Sequence, residues 1–226
     1  MLINYLKAAW RSLVFNKKYT AINITGLGVS IAACILIGVS VYNETSFDSQ
    51  IPDRSKVYRL NEFVHYDGAP TQVSAASGPP IAGFLKNNHS EIESYTRVYD
   101  PSPNIFPAAT LEYNGNKFSS ERLVCTDSSF AKMFGIYIIA GNRNEFIPLQ
   151  NNLALTETTA RKIFSNEQAL NKTVFLRIDD STFKSYVVSH VIKDLPANSH
   201  MQADALLPIP AEFEKSFSGD NYGILL

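Results

Sequence analysis

The chain has 226 residues, 45% of them hydrophobic and 18% charged, with a formal net charge of −1. The bases after residue 42 are dispersed among acids, so nucleic-acid binding is unsupported, and the apolar content of that part reads as globular and not as a disordered stalk. Two cysteines, Cys34 and Cys125, are too few for a disulfide framework, so any domain must rest on its own core.

The charges are unevenly spread. Residues 1–18 hold Lys7, Arg11, Lys17 and Lys18 and no acid, while all 21 acids follow residue 42. Leu2, Ile3, Leu6, Ala9, Trp10, Leu13 and Val14 recur at helical spacing, with Asn4, Lys7, Arg11 and Lys18 opposite. Residues 1–18 therefore read as an amphipathic helix whose Trp-bearing face suits the cytoplasmic headgroup layer. Packing on other protein is the alternative use of that face.

No charge lies between Lys18 and Glu44, and the apolar stretch Tyr19–Tyr42 is 24 residues long. A helix of that length rises roughly 36 Å, against a hydrocarbon core of about 30 Å. Residues 19–42 read as a transmembrane helix that crosses with some tilt. Its basic flank, Lys7, Arg11, Lys17 and Lys18, sets the topology: N-terminus in the cytoplasm, residues 43–226 outside the cytoplasmic membrane. A cleaved signal peptide has a shorter apolar core and a small-residue cleavage site, whereas this run ends in Val41-Tyr42-Asn43-Glu44.

The span has two faces. Asn23, Gly26, Ser30, Ala33 and Ser40 gather on one side, and Ile24, Leu27, Ile31, Ile35 and Val39 on the other. The small face predicts packing on other transmembrane helices and the bulky face contact with acyl chains. Compositional coincidence is the rival account.

Residues 43–226 suffice for one medium domain or two small ones. Asp53 to Tyr66 reads as a strand ended by Asp67-Gly68, and Ser77-Gly78-Pro79-Pro80 opens a helix to about Asn87. Glu93–Tyr99 reads as a strand. Thr110–Tyr113 and Lys117–Cys125 read as a hairpin around Asn114-Gly115-Asn116. Asp127 or Ser128 caps a short helix to Phe134, and Ile136–Ala140 is a short buried strand.

Leu153–Leu155 is a brief strand, after which Thr156 caps a helix to Phe164 with Ala160, Ile163 and Phe164 inward. Thr173–Ile178 and Phe183–Ile192 flank Asp179-Asp180-Ser181 as a second hairpin, and Ala203–Ile209 adds a last strand. Short helices among mostly antiparallel strands make an α+β domain, not a doubly wound sheet. Tyr222-Gly223-Ile224-Leu225-Leu226 has no cap or polar tail, and the sequence reads as cut in mid-domain.

Several runs, in order, carry a resemblance. They are Asn4 to Leu13, Asn16-Lys17-Lys18, Ile22 to Gly28, Glu44-Thr45-Ser46-Phe47-Asp48 and Val57-Tyr58-Arg59-Leu60, then Leu155 to Phe164 and Lys193-Asp194-Leu195-Pro196-Ala197-Asn198-Ser199-His200. Together they resemble the N-terminal part of a MacB/FtsX-type ABC-transporter permease with a MacB-like periplasmic core domain. Glu44, Phe47, Asp48, Pro196, Ser199 and His200 are the landmarks of that resemblance. It implies a permease dimer in the inner membrane, driven by a cytoplasmic ATPase, and an envelope partner outside. Such assemblies move substrates or transmit force, and some regulate cell-wall enzymes. Family permeases carry further spans that this sequence lacks.

Chemistry-bearing motifs are missing. No G-x-x-x-x-G-K-[ST] cradle occurs, so ATP is expected on a partner chain and no cofactor on this one. No G-x-S-x-G, H-E-x-x-H or C-x-x-C occurs, so no catalytic or metal residue is assigned. His65, His89, His190 and His200 lack ligand spacing and read as surface or turn residues, although His190 and His200 can meet across a turn. Glu44 and Asp48 fall on one helical face just beyond the span, as a solvated helix end, a cation site or a partner's ion pair; Phe47 alternatively packs at the entry to the domain. The competing function is a single-pass membrane-anchored binding or sensor module, which 18 cytoplasmic residues leave little room to serve. A membrane-tethered enzyme is the third.

Overall fold

The computed structural model describes residues 2–65, 68, 70–100, 110–119, 122–165, 167–177, 183–211 and 223–225. The chain divides into two compact units, Met1–Phe47 and Asp48–Leu226.

The first unit is two helices. Helix α1 (Leu2–Phe15) and helix α2 (Lys17–Thr45) break at Asn16, whose backbone leaves the helical region. Thr20 Oγ1 donates to the Leu13 carbonyl at 2.8 Å, meeting an acceptor that the end of α1 leaves open. At 29 residues, α2 is about 44 Å long. Among the described residues it is the one helix long and apolar enough to cross a membrane. It starts two residues before the expected span and ends three after it. Its last turn is closed by hydroxyls: Thr45 Oγ1 donates to the Val41 carbonyl and Ser46 Oγ to that of Asn43.

The second unit begins with a turn and one turn of 3₁₀ helix, Arg54–Lys56. There follow strands β1 (Glu62–Val64), β2 (Gln72–Ser74) and β3 (Ala76–Ser77), helix α3 (Ile81–Asn88), and strands β4 (Arg97–Tyr99), β5 (Thr110–Tyr113), β6 (Asn116–Ser119) and β7 (Leu123–Thr126). Helix α4 (Phe130–Met133), strands β8 (Ile138–Ala140) and β9 (Asn152–Thr156), and helix α5 (Glu157–Phe164) come next. Strands β10 (Thr173–Arg177), β11 (Phe183–Ile192), β12 (Ala205–Pro208) and β13 (Gly223–Leu225) complete the order.

Among the described residues β1 and β2 pair by themselves, and the remaining strands form a sheet in the order β3-β13-β4-β7-β12-β9-β11-β10-β5-β6, with β8 beside β11. The β9–β11 and β7–β12 pairs are parallel, and the others antiparallel. The mixed, mostly antiparallel α+β architecture expected from the sequence is the one observed.

The sheet buries both faces. In β7, Leu123 and Cys125 enter one core and Val124 the other; in β9, Leu153 and Leu155 enter the first and Ala154 the second; in β12, Ala205 and Leu207 divide from Leu206 in the same way. This is the period-2 alternation of a strand applied to apolar residues throughout, so these central strands read as unbroken hydrophobic runs. Helix α5 covers the first face with Ala160, Ile163 and Phe164; α4 covers the second with Phe130 and Ala131, joined by Phe134 just past its end.

Several expected elements are corrected. The strand placed at Asp53–Tyr66 shrinks to Glu62–Val64, because the chain first makes the Arg54–Lys56 turn. The helix opened at Ser77 starts at Ile81, with Ser77 in a strand. The run Lys117–Cys125 is two strands: β6 closes the hairpin on β5, while β7 crosses to pair β4 and β12. The hairpin itself turns through Asn114 (φ 50°) and Gly115 (φ 77°), the two positive φ values that a type I′ turn requires. The tip Asp179-Asp180-Ser181 and the end of the Asp53–Tyr66 run fall outside the described residues.

Candidate functional site

The landmark residues Asp48, Pro196, Ser199 and His200 come together, although 148 or more positions separate Asp48 from the others. Asp48 does not share a helical face with Glu44. Helix α2 ends at Thr45, and Asp48 has φ 52°, a left-handed conformation that Asp tolerates better than most residues. That turn ends the helical periodicity and frees the Asp48 carboxylate for other partners.

The partners lie in the turn between β11 and β12. The Asp48 main-chain N–H donates to the Asn198 carbonyl at 3.0 Å. Its Oδ1 accepts from Ser199 Oγ at 2.7 Å and from the His200 main-chain N–H at 3.1 Å, and its Oδ2 lies 2.6 Å from His200 Nδ1. A carboxylate only accepts, so Nδ1 carries the hydrogen. Ser199 is buried and fully used, since its Oγ also accepts from Gln50 Nε2 at 2.9 Å and from the Met201 N–H at 3.2 Å. The turn is tied to itself by Ser199 N–H to the Pro196 carbonyl at 3.0 Å, and by Gln202 Nε2 to the carbonyls of Pro196 and Ser199. Asp48 is thus clasped through both main chain and side chain.

Burial raises the proton affinity of the Asp48 carboxyl, but the hydrogen bonds from Ser199 and His200 outweigh it and hold the group below the usual carboxylate range. The His200 side chain is 75% exposed, so its ion pair adds only about 0–1 kcal/mol. The buried Ser199 hydroxyl, bonded to a charged acceptor, is worth more, about 1.5–3 kcal/mol. Gln50 Oε1 is buried beside it with no hydrogen-bond partner among the described residues. An unmet acceptor of that kind lowers the cost of opening the clasp.

A second tie lies four residues earlier on the same connection. Asp194 accepts from the Thr158 N–H at 3.0 Å through Oδ1 and from Thr158 Oγ1 at 2.5 Å through Oδ2. Burial raises the Asp194 carboxyl as well, and the Thr158 bonds reverse the shift. Thr156 caps the same helix by accepting from the Thr159 N–H, where the sequence placed it.

The other singled-out residues lie elsewhere. Lys7 and Arg11 are exposed on α1, and Lys17 and Lys18 at the start of α2. Asn23, Gly26, Ser30, Ala33 and Ser40 are exposed along α2, where Ser30 Oγ bonds back to the Gly26 carbonyl at 2.8 Å. Glu44 is in the last turn of α2, and Phe47 ends the first unit.

His190 is not a surface or turn histidine. It is 1% exposed in β11, with Nε2 3.0 Å from the Asn142 carbonyl and Nδ1 2.9 Å from Ser189 Oγ. The carbonyl only accepts, so Nε2 carries the hydrogen. Gly141 (φ 116°) lets that backbone approach, since a Cβ there falls 2.6 Å from His190 Cδ2. His190 and His200 therefore have separate partners. Among the described residues, no cluster of three or more His, Cys, Asp or Glu is arranged to hold a metal ion.

A buried pair that the sequence did not reveal joins β4 to the end of β7. Arg97 meets the Asp127 carboxylate through Nε and Nη2, the latter at 2.7 Å. It stands at a cleft of about 720 Å³ whose other wall includes Arg143, Phe146 and Ile147. Asp127 also accepts from the Arg97 main-chain N–H, which is why it does not cap α4.

The second unit is a two-faced α+β sheet with a clasp at its first residue, and in sequence it follows a helix long and apolar enough to cross a membrane. The model of the MacB-like periplasmic core domain matches residues 20–225, and the chain belongs to that family. It corresponds to the N-terminal part of a MacB-like permease, as the resemblance implied. No curated protein matches the sequence. Among solved structures, a domain assigned to a permease protein of Porphyromonas gingivalis is 23% identical, with a TM-score of 0.57 over 70% of this chain and 65% of that one. The chain thus spans about two thirds of that relative's length. The periplasmic region of MacB from Actinobacillus actinomycetemcomitans is 20% identical, covering 61% of this chain and 57% of that one, with a TM-score of 0.44. The extracellular domain of the noncanonic ABC-type transporter YknZ from Gram-positive bacteria is 14% identical over 73% of this chain and 80% of that one, with a TM-score of 0.49.

Proposed function

We propose that this chain serves as membrane subunit of an ABC transporter of the MacB/FtsX type. In this reading residues 1–18 lie on the cytoplasmic face of the inner membrane, residues 19–42 cross it, and residues 43–226 form the periplasmic domain. A partner ATPase binds and hydrolyses ATP, the permease works as a dimer, and the small face of α2 packs on other spans. The outer domain turns the resulting helix movement into export or mechanical signalling, without catalysis of its own.

The observation that carries this reading is the match of residues 20–225 to the MacB-like periplasmic core domain, behind a helix long and apolar enough to cross a membrane. Within the second unit, Asp48 is held to the turn between β11 and β12 by its N–H and both carboxylate oxygens. The +4 charge before the span supports the orientation.

Reporter fusions and co-purification test the proposal. A phosphatase fused after residue 226 is expected to be active outside the cytoplasm, and a fluorescent protein at the N-terminus to fluoresce inside. The tagged chain, extracted from its native membranes, is expected to bring down an ATP-hydrolysing subunit. A cytosolic C-terminal reporter, or a preparation devoid of ATPase, overturns the reading.

A further inference from the structure

The connection between β11 and β12 touches more than Asp48. Strands β9 and β11 are parallel, and their last residues are in register, Thr156 beside Ile192. Helix α5 leaves from one strand end and the connection leaves from the other. Two residues further along each path stand Thr158 and Asp194, and the register brings them into contact. Leu195 and Met201 of the connection pack on the core of the α4 face, while α5 is seated in the core of the opposite face. Asp194 therefore links the two faces around the end of the sheet.

We infer that Asp194 is a positioning residue that hands movement of the Asp48 clasp on to α5, with the self-bonded turn 194–201 acting as a rigid lever between them. The inference rests on the transporter reading for its purpose, though not for its mechanics. The lever is short and stiff. Pro196 fixes one backbone torsion, and its carbonyl accepts from both Ser199 and Gln202. At one end Asp48 binds residues 198–200; at the other Asp194 holds an N–H of the first turn of α5, where backbone donors lack helical partners. The unmet Gln50 Oε1 lowers the cost of opening the clasp end.

Amide hydrogen exchange on the full chain in lipid nanodiscs, without nucleotide or ATPase, tests this. Asp48→Ala is expected to speed exchange at residues 199–201 and, about tenfold, at Thr158–Ala160. In an Asp194→Ala background those α5 amides are already fast, and adding Asp48→Ala changes them no further. Asp194→Asn, which keeps an acceptor oxygen, is expected to restore most of the protection and the response to Asp48→Ala. Protection of Leu153–Leu155 in the central strand β9 monitors global opening; should Asp194→Ala lower it, the comparison is made on Asp194→Asn alone. The inference is overturned if Asp48→Ala loosens 199–201 and leaves α5 unchanged, or if its effect on α5 is equal with and without Asp194. Because no ATPase takes part, that failure is distinct from failure of the topology and co-purification tests.

Discussion

Replacing Asp48 separates the contributions of the clasp. Asp48→Ala removes the charged acceptor of the buried Ser199 hydroxyl, about 1.5–3 kcal/mol, and the exposed His200 pair, about 0–1 kcal/mol. It also puts a side chain without local polar compensation at φ 52°, a strain of roughly 1 kcal/mol. The expected loss is about 3 kcal/mol. Asp48→Asn keeps an oxygen for Ser199 and the tolerance of positive φ, and His200 can present an unprotonated Nδ1 to the new amide, so the expected loss is about 1 kcal/mol. Both variants keep the main-chain bond from residue 48 to Asn198. Urea unfolding of the full chain in detergent, followed by tyrosine fluorescence, measures the difference. Equal losses for the two variants, or a loss below about 0.5 kcal/mol for Asp48→Ala, would refute the account of the clasp.

Acid should weaken the same ties. Asp48 and Asp194 both titrate below the ordinary value of 3.8, so their stabilisation is fully present above that pH and is lost as pH falls through their lower folded values. The stability gap between wild type and an Asp48→Asn/Asp194→Asn double variant, read from urea midpoints, should be constant from pH 7 to 5 and narrow below about pH 4. Cys125 is buried in β7 with its thiol pushed up to about 12, chiefly by burial. In a Cys34→Ser background a maleimide at pH 8 should leave Cys125 unlabelled until urea unfolds the domain; labelling at free-thiol rates in buffer would contradict its burial. Asp127→Ala takes the carboxylate from the buried Arg97 guanidinium and should cost about 3–5 kcal/mol, whereas Arg97→Met with Asp127→Leu should cost less, both read from thermal melts.

What could be read from the sequence followed from local rules. Thr156 caps α5, and Ala160, Ile163 and Phe164 face inward, because both features are written within the short run from Thr156 to Phe164. The β10–β11 hairpin and the Asn114-Gly115 turn follow from runs of β-formers around turn residues. The central strands β7, β9 and β12 were found or half found as apolar runs, but such runs do not reveal which residues face which core. Strands β2, β3 and β13, each two or three residues long, carry too little pattern to be seen. The clasp was visible only as two separate landmarks. Helical spacing assigned Asp48 to the face of Glu44, and a single positive φ cancels that assignment. Burial of His190 and pairing of Arg97 with Asp127 depend on partners delivered by the sheet, so no local signal announces them.

Asp48 waits for a serine and a histidine that are translated about 150 codons later. While the polypeptide is being made, α2 is complete long before anything grips residue 48. The clasp closes only after local structure on both sides of it has formed, since long-range closure follows local structure. Residue 48 therefore stays untied until β11 and the turn that follows it have been made.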